Sequence, residues 1–404
     1  MKAVFQVLLI STLIAAVAAP AVADPTFYGY IKLDASYDSA ETNDGNFVYY
    51  VLPYDEGDEN DEFNMTAKQT RLGATFEGPD SDAVAASGRI EFDFYGGGGE
   101  NKPNPMLRHA YLELRTSAVD ILAGQTSDVI SPIVPTTLNY IVLWKSGDIG
   151  YRRPQIRVSR KFDLGDAAGM SIAAAATRSM GSVDGGGETT GVPALQGRVA
   201  LSANLPGDRP AEIGFSGLMG REEVCGYEET IDATPVVRLN TETHELDQTV
   251  VAVDVTVPLG GMATLKGQYF TGKNLGKYLG GVGQGVAEVV AGVSDTTVTI
   301  VPEEIEASGW WAQLNLKPSK RWQVNVGAGV DDPELPEDDR ANSLEKNSTY
   351  YGNVIWNVAP SASIGVEYAM FETEYRVAGG DEDSEPTTES YENRRLQLSF
   401  QYKF

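Results

Sequence analysis

Strict alternation of apolar and polar residues constrains this chain more than any other feature. Near the start, Phe27, Gly29, Ile31, Leu33, Ala35 and Tyr37 share one face, and Tyr28, Tyr30, Lys32, Asp34, Ser36 and Asp38 share the other. A period of two puts neighbouring side chains on opposite sides of an extended strand, so one side meets an apolar environment and the other a polar one. The pattern returns at residues 71–77, 89–95, 107–115, 119–125, 153–162, 170–178, 195–205 and 211–219. It continues at 251–257, 262–271, 310–317, 322–330, 350–358, 362–371 and 394–404, which makes sixteen expected strands.

The connections alternate in length. Short ones carry turn residues: Gly78-Pro79-Asp80, Pro206-Gly207-Asp208, Leu259-Gly260-Gly261, Pro318-Ser319-Lys320 and Ala359-Pro360-Ser361. Long ones run over 39–64, 126–150, 180–191, 222–245, 272–304, 331–345 and 373–390. Tight turns at one end and long loops at the other, with an even strand number, are the organisation of a transmembrane antiparallel barrel. Nowhere do ~20 apolar residues run together, so no membrane-spanning helix is expected. Leu396, Leu398, Phe400, Tyr402 and Phe404 line one face of the last strand. Left as an open edge, that strand would invite aggregation, and closure against the first strand removes the edge.

Export is expected from residues 1–23. Lys2 precedes an apolar run, and Ala21-Val22-Ala23 forms a cleavage site for a secretory signal peptide. Residues 24–404 are then one all-β barrel domain. Cys225 is the only cysteine, which excludes an internal disulfide framework and reads as a free surface thiol. The net charge of −26 argues against a nucleic-acid partner, which needs a basic face.

Strands that cross lipid must pair every backbone group internally, which only a closed barrel allows. About sixteen strands leave a wet interior. The chain therefore reads as a water-filled channel in a bacterial outer membrane, passing small hydrophilic solutes, and as no enzyme. The segment 126–150, after the fifth strand, is long and largely uncharged, with Ile130, Ile133, Val134, Leu138, Tyr140, Ile141, Val142, Leu143 and Trp144. Folded into the lumen, it would bury these residues and narrow the pore. The inward parity of the facing wall gives Lys32, Arg71, Arg89, Arg153 and Arg157 as a basic ladder acting on anions, with Arg153 and Arg157 foremost. Asp34, Glu77, Glu91, Asp93 and Glu113 share that face and offer internal pairing instead. Arg108 and His109 adjoin the region with no assignable facing. Acidic residues crowd the loops at 55–62, 331–339 and 381–385, as solvated mouth charge or as carboxylates bridged by divalent cations to lipopolysaccharide. Gly281-Val282-Gly283-Gln284-Gly285 reads as a flexible loop. Neither a cofactor motif nor a metal-ligand cluster is present.

Several segments carry a family resemblance. Residues 27–35 (Phe-Tyr-Gly-Tyr-Ile-Lys-Leu-Asp-Ala) resemble the opening strand of the DcaP-like porins. Arg71-Leu72-Gly73, residues 91–99, Leu107-Arg108-His109-Ala110-Tyr111, residues 122–126 and Arg153-Pro154-Gln155-Ile156-Arg157 continue the likeness in order. The resemblance implies a homotrimeric outer-membrane channel favouring small anions such as dicarboxylates. The coiled-coil segment that often precedes the barrel in that family is missing between the signal and the first strand, so the barrel wall must carry any interface. Two other readings stay open. One is a structural or adhesive barrel with a plugged lumen, and the other is a phosphate-selective porin. A membrane-embedded hydrolase is disfavoured, because His109 and His244 are the only histidines and neither sits in a catalytic motif.

Overall fold

A computed structural model describes residues 25–55, 57, 60–78, 83–182, 185–205, 209–231, 237–377 and 386–404. The expected signal peptide, the turns at 79–80 and 206–208, and the acidic stretch 381–385 lie outside these residues, as do Glu56, Asp58 and Glu59 of the first acidic loop.

Strands dominate. The first half holds β1 (Pro25–Asp38), β2 (Glu62–Thr66), β3 (Arg71–Glu77), β4 (Val84–Asp93), β5 (Met106–Thr116) and β6 (Asp120–Ser127). After the longest early loop come β7 (Arg152–Asp163), β8 (Ala168–Thr177), β9 (Ala194–Leu205), β10 (Arg209–Thr230) and β11 (Arg238–Leu259). Next are β12 (Ala263–Lys273), β13 (Val286–Val293), β14 (Thr297–Glu304) and β15 (Glu306–Ser319). The last four are β16 (Trp322–Glu334), β17 (Leu344–Ala359), β18 (Ala362–Val377) and β19 (Thr387–Lys403). Among the described residues no helix is long and apolar enough to cross a membrane.

The wall is a closed barrel of 16 antiparallel strands. β1 pairs with β19 from Tyr30↔Lys403 to Asp38↔Arg395, and Gly29 and Phe404 exchange two backbone hydrogen bonds of 3.1 and 3.2 Å. Closure therefore pairs the apolar-faced last strand. β2 and β3 are two parts of one wall strand, since both lie against β1. The break between them is mended by Thr70, whose hydroxyl accepts from the Lys32 amide (3.2 Å) and donates to the Lys32 carbonyl (3.3 Å). β13 and β14 form an extra hairpin within the connection from β12 to β15, and β14 pairs with the outer end of β10.

Alternation sorts the two faces as expected. Phe27, Ile31, Phe215, Val251, Val326 and Leu396 are exposed on the outside, while Lys32, Asp34, Gln196, Asp254, Gln313 and Asn325 are enclosed inside. Trp322 and Trp356 stack at 5.7 Å between ring centres at the turn end of β16 and β17. Both are half-exposed, where an aromatic girdle meets the membrane interface.

Three expectations need correction. Residues 272–304, expected as a loop, hold the paired strands β13 and β14. Residues 222–230 and 238–245, expected within a loop, are strand. β10 and β11 each run for 22 residues and pair up to Glu229↔Arg238. A transmembrane strand needs only about 9–11 residues. The upper part of this hairpin stands clear of lipid, where no apolar face is required and the period-2 signal fades. Likewise Gly281 and Val282 are buried, and their amides donate to Asp331 Oδ1 (2.9 Å) and Oδ2 (3.1 Å). This is a packed corner, because the backbone donors of a tight turn found a carboxylate acceptor. Cys225 is exposed on the outer part of β10.

Candidate functional site

The loop between β6 and β7 folds into the lumen. Ile130, Ile141 and Ile149 are fully buried, and each contributes about 1.5–3 kcal/mol by leaving water. Ile130 and Ile149 pack against Leu218, Val250 and Phe270, inward residues of β10, β11 and β12. Leu143 packs against Trp311 and Tyr351 farther round the wall. Gly147 has φ +103°, and a Cβ there would strike the backbone of Trp310 and Val330. Close backbone approach thus requires glycine at that point.

Polar wall residues capture the loop's backbone. Val129 N donates to Gln196 Oε1 (2.7 Å), and Gln268 Nε2 donates to the Ile130 carbonyl (2.8 Å). Thr136 N donates to Gln313 Oε1 (2.5 Å), and Asn353 Nδ2 donates to the Thr136 carbonyl (2.8 Å). At the far side, Leu138 N and Asn139 N donate to the Glu367 carboxylate at 2.7 and 3.0 Å. An irregular segment in the barrel interior must satisfy its backbone groups, and this chain does so strand by strand.

Parity points all seven sequence-identified residues inward, but their surroundings differ. Lys32 is enclosed, with Nζ 2.5 Å from Gln69 Oε1, 3.0 Å from the Leu138 carbonyl and 3.1 Å from Asp34. Arg153 is fully enclosed. Its guanidinium pairs with Asp128 at 2.8 Å, donates to the Lys277 carbonyl at 3.2 Å and lies 3.9 Å from the Tyr278 ring centre. Lys32 is covered by the loop at Leu138, and Arg153 by Asp128 of the loop root together with Lys277 and Tyr278 of the β12–β13 connection. Glu91 and Asp93 are also enclosed. Arg71 (3.4 Å), Arg89 (2.5 Å) and Arg108 (3.0 Å) converge on Glu91, and Arg108 reaches Asp93 at 2.5 Å. Three guanidiniums thus face two carboxylates, which leaves positive charge in excess. Arg71 and Arg89 retain 22% and 33% side-chain exposure. Arg157 is partly exposed and bonds to Gln155 Oε1 (3.0 Å) and the Ser127 carbonyl, with no carboxylate in ion-pair range among the described residues.

Arg108 belongs to this group although no parity could place it. The pairing shifts from Glu91↔His109 to Phe92↔Leu107, so Arg108 is the extra residue of a β-bulge. A bulge breaks the alternation and re-aims a side chain. Glu367 was also missed, although the signal was present: it is the lone acid in the inward row Ser363, Gly365, Glu367, Ala369, Phe371.

Asp148 lies completely enclosed in the loop, with the Trp311 indole beside it and no ion pair among the described residues. Burial holds its pKa well above the usual carboxylate value. A folded-state pKa raised above the unfolded one lowers stability as pH climbs from ~3.9 toward the folded value. Asp148→Asn removes that loss. Its stability advantage over the wild type, read as the temperature of the folded-to-unfolded gel shift, will widen as pH climbs above ~4.

Residues 11–376 match the sequence profile of the Gram-negative porins. Curated protein sequences give no match. Among solved structures, the outer membrane channel DcaP of Acinetobacter baumannii superposes with a TM-score of 0.71 at 20% identity, covering 96% of this chain and 99% of that one. OmpT of Vibrio cholerae gives 0.57 at 12%, covering 96% and 100%. The anion-selective porin from Comamonas acidovorans gives 0.57 at 11%, covering 95% and 100%.

Proposed function

Because the chain belongs to the Gram-negative porin family and forms an outer-membrane diffusion channel, we propose that its permeation path favours small anions. The observation that carries this reading is the uneven pairing around Glu91, with Arg71 and Arg89 still reached by solvent and Arg157 unpaired. Small dicarboxylates fit such a spread of guanidiniums, which bind carboxylates in a planar fork. No catalytic step is part of this reading. A plugged structural barrel would leave Arg71 and Arg89 without solvent contact. A phosphate-selective porin would need a denser cationic ladder than these three residues.

The chain acts in this reading as a homotrimer in contact with lipopolysaccharide. A trimer form is described for OmpT of Vibrio cholerae. The outer wall of β1 and β2 offers Phe27, Ile31, Phe63 and Met65, all more than half exposed. Residues 1–23 serve as the signal peptide.

Reversal potential in planar bilayers tests selectivity. At ε ≈ 80 and ~8 Å, one unit charge is worth roughly 0.5 kcal/mol to a passing ion, with opposite sign for anion and cation. Arg89→Ala/Arg157→Ala will therefore lower the anion-to-cation permeability ratio several-fold at 0.1 M salt. The difference will shrink at 1 M, where the Debye length is about 3 Å. An unchanged ratio at low salt would remove these two residues from the path, and absence of conductance would return the plugged barrel to first place.

A further inference from the structure

Beside the constriction, the β1–β2 and β4–β5 loops and the constriction loop line a cup of about 220 Å³. Phe47 and Tyr49 come from the β1–β2 loop, Phe94 and Tyr95 from the β4–β5 loop, and Tyr140 from the constriction loop. We propose that this cup binds one neutral, hydroxylated six-membered ring of monosaccharide size, held beside the narrow zone. The proposal rests on the reading of the barrel as an outer-membrane channel.

Size is the first argument. At ~30 Å³ per water, the cup holds roughly seven waters. That is the space of one small ring with its hydroxyls, below the range of about 300–1,000 Å³ of drug-sized sites. Wall shape is the second. Phe47 stands edge-on to Tyr49 (5.2 Å, 82°) and to Tyr95 (5.4 Å, 74°), while Tyr95 lies 4.1 Å from Tyr140. Rings locked against one another in this way form a rigid apolar surface that needs no ordering when a guest arrives.

Charge selects the guest. The aromatic faces already have cations on them: Lys145 Nζ lies 4.6 Å from the Tyr49 ring centre, Arg152 4.4 Å from Tyr151 and Arg108 6.0 Å from Tyr140. A cationic guest would compete for the same faces and be repelled. An anionic guest would meet Asp44, which lines the cup with no ion pair among the described residues, while Lys68 is committed to Glu100 at 2.9 Å. What remains is hydrogen-bonding capacity. Asp44 supplies an acceptor, and the hydroxyls of Tyr49 and Tyr95 have no protein partner among the described residues. Ring C–H groups against aromatic faces, with hydroxyls toward a carboxylate and two phenols, satisfy both kinds of wall.

The floor links the cup to the pore. Tyr140 hydrogen-bonds Asp93 at 3.1 Å and receives a bond from Arg108 at 3.2 Å. Trp144 lies 6.4 Å from Tyr140 and 5.2 Å from Tyr151, so a guest perturbs an indole.

The test uses the full barrel folded in detergent and titrated with D-glucose, reading tryptophan emission, with benzoate as the anionic comparison. Saturable binding in the millimolar range is expected, weakened about tenfold by Tyr95→Ala, a change of ~1.4 kcal/mol. Asp44→Asn is expected to weaken glucose binding as well and provides the second variant should Tyr95→Ala not fold. Benzoate is expected not to compete. Absence of saturable glucose binding, wild-type affinity in both folded variants, or displacement of glucose by benzoate would each overturn the proposal. Conductance of the same preparation reports separately on the channel. An open channel that ignores glucose condemns the cup alone, and glucose binding without conductance condemns the channel reading alone.

Discussion

Arg153→Ala will destabilise the docked constriction loop by about 3–5 kcal/mol, the usual cost of removing one partner of a buried ion pair. Asp128 would keep its bonds from Tyr151 N (2.9 Å) and Gln196 Nε2 (2.7 Å) but lose its cation in an enclosed site. Tyr278 would lose the guanidinium stacked on it. The expected signs are a lower temperature for the folded-to-unfolded gel shift and frequent brief closures in single-channel records. Anion preference will persist, since Arg153 has no contact with the permeating solution. A quiet channel that has lost its anion preference would instead make Arg153 part of the path. Arg153→Lys separates charge from shape: it keeps the ion pair, but a lysine cannot lie flat on Tyr278 while donating to the Lys277 carbonyl.

Glu367→Leu will free the far end of the same loop. The carboxylate accepts from two loop amides and from Asn353 Nδ2 at 2.9 Å. Hydrogen bonds to a charged group are each worth about 1.5–3 kcal/mol, and the amides of Leu138 and Asn139 would be left without that acceptor. Conductance will rise, and uncharged polymers too large for the wild-type pore will begin to pass. Glu367→Gln retains one carbonyl oxygen and will fall between the two. Polymer exclusion in planar bilayers measures this. An unchanged exclusion limit in Glu367→Leu would show that the loop does not depend on this anchor.

Much of the barrel was legible because lipid enforces a rule on every residue it touches. Val251 and Val253 must face out, so Asp254 must face in, and counting by two places both. Where lipid ends, the rule ends, and the outer halves of β10 and β11 were invisible although their backbones pair as well as the rest. Facing is also different from exposure. Parity turns Arg153 and Arg157 toward the lumen alike, but one is sealed under the loop root and the other is partly open. That distinction depends on where 24 residues of irregular chain, 128 to 151, come to rest. Arg108 was lost for a third reason, a bulge that adds one residue and resets the count.

The bonds that hold the loop also make it a structural tie. Its roots stand on β6 and β7, and its span is fixed to β9, β12, β15, β17 and β18 in turn. An empty cylinder of hinged strands is weak against flattening, since ovalisation bends every strand pair slightly and breaks none. A spoke joined to several points of the rim turns the same deformation into stretching of hydrogen bonds, which are far stiffer. The lateral pressure of the bilayer therefore acts on a braced cross-section, and the shape of the pore is held by the element that narrows it.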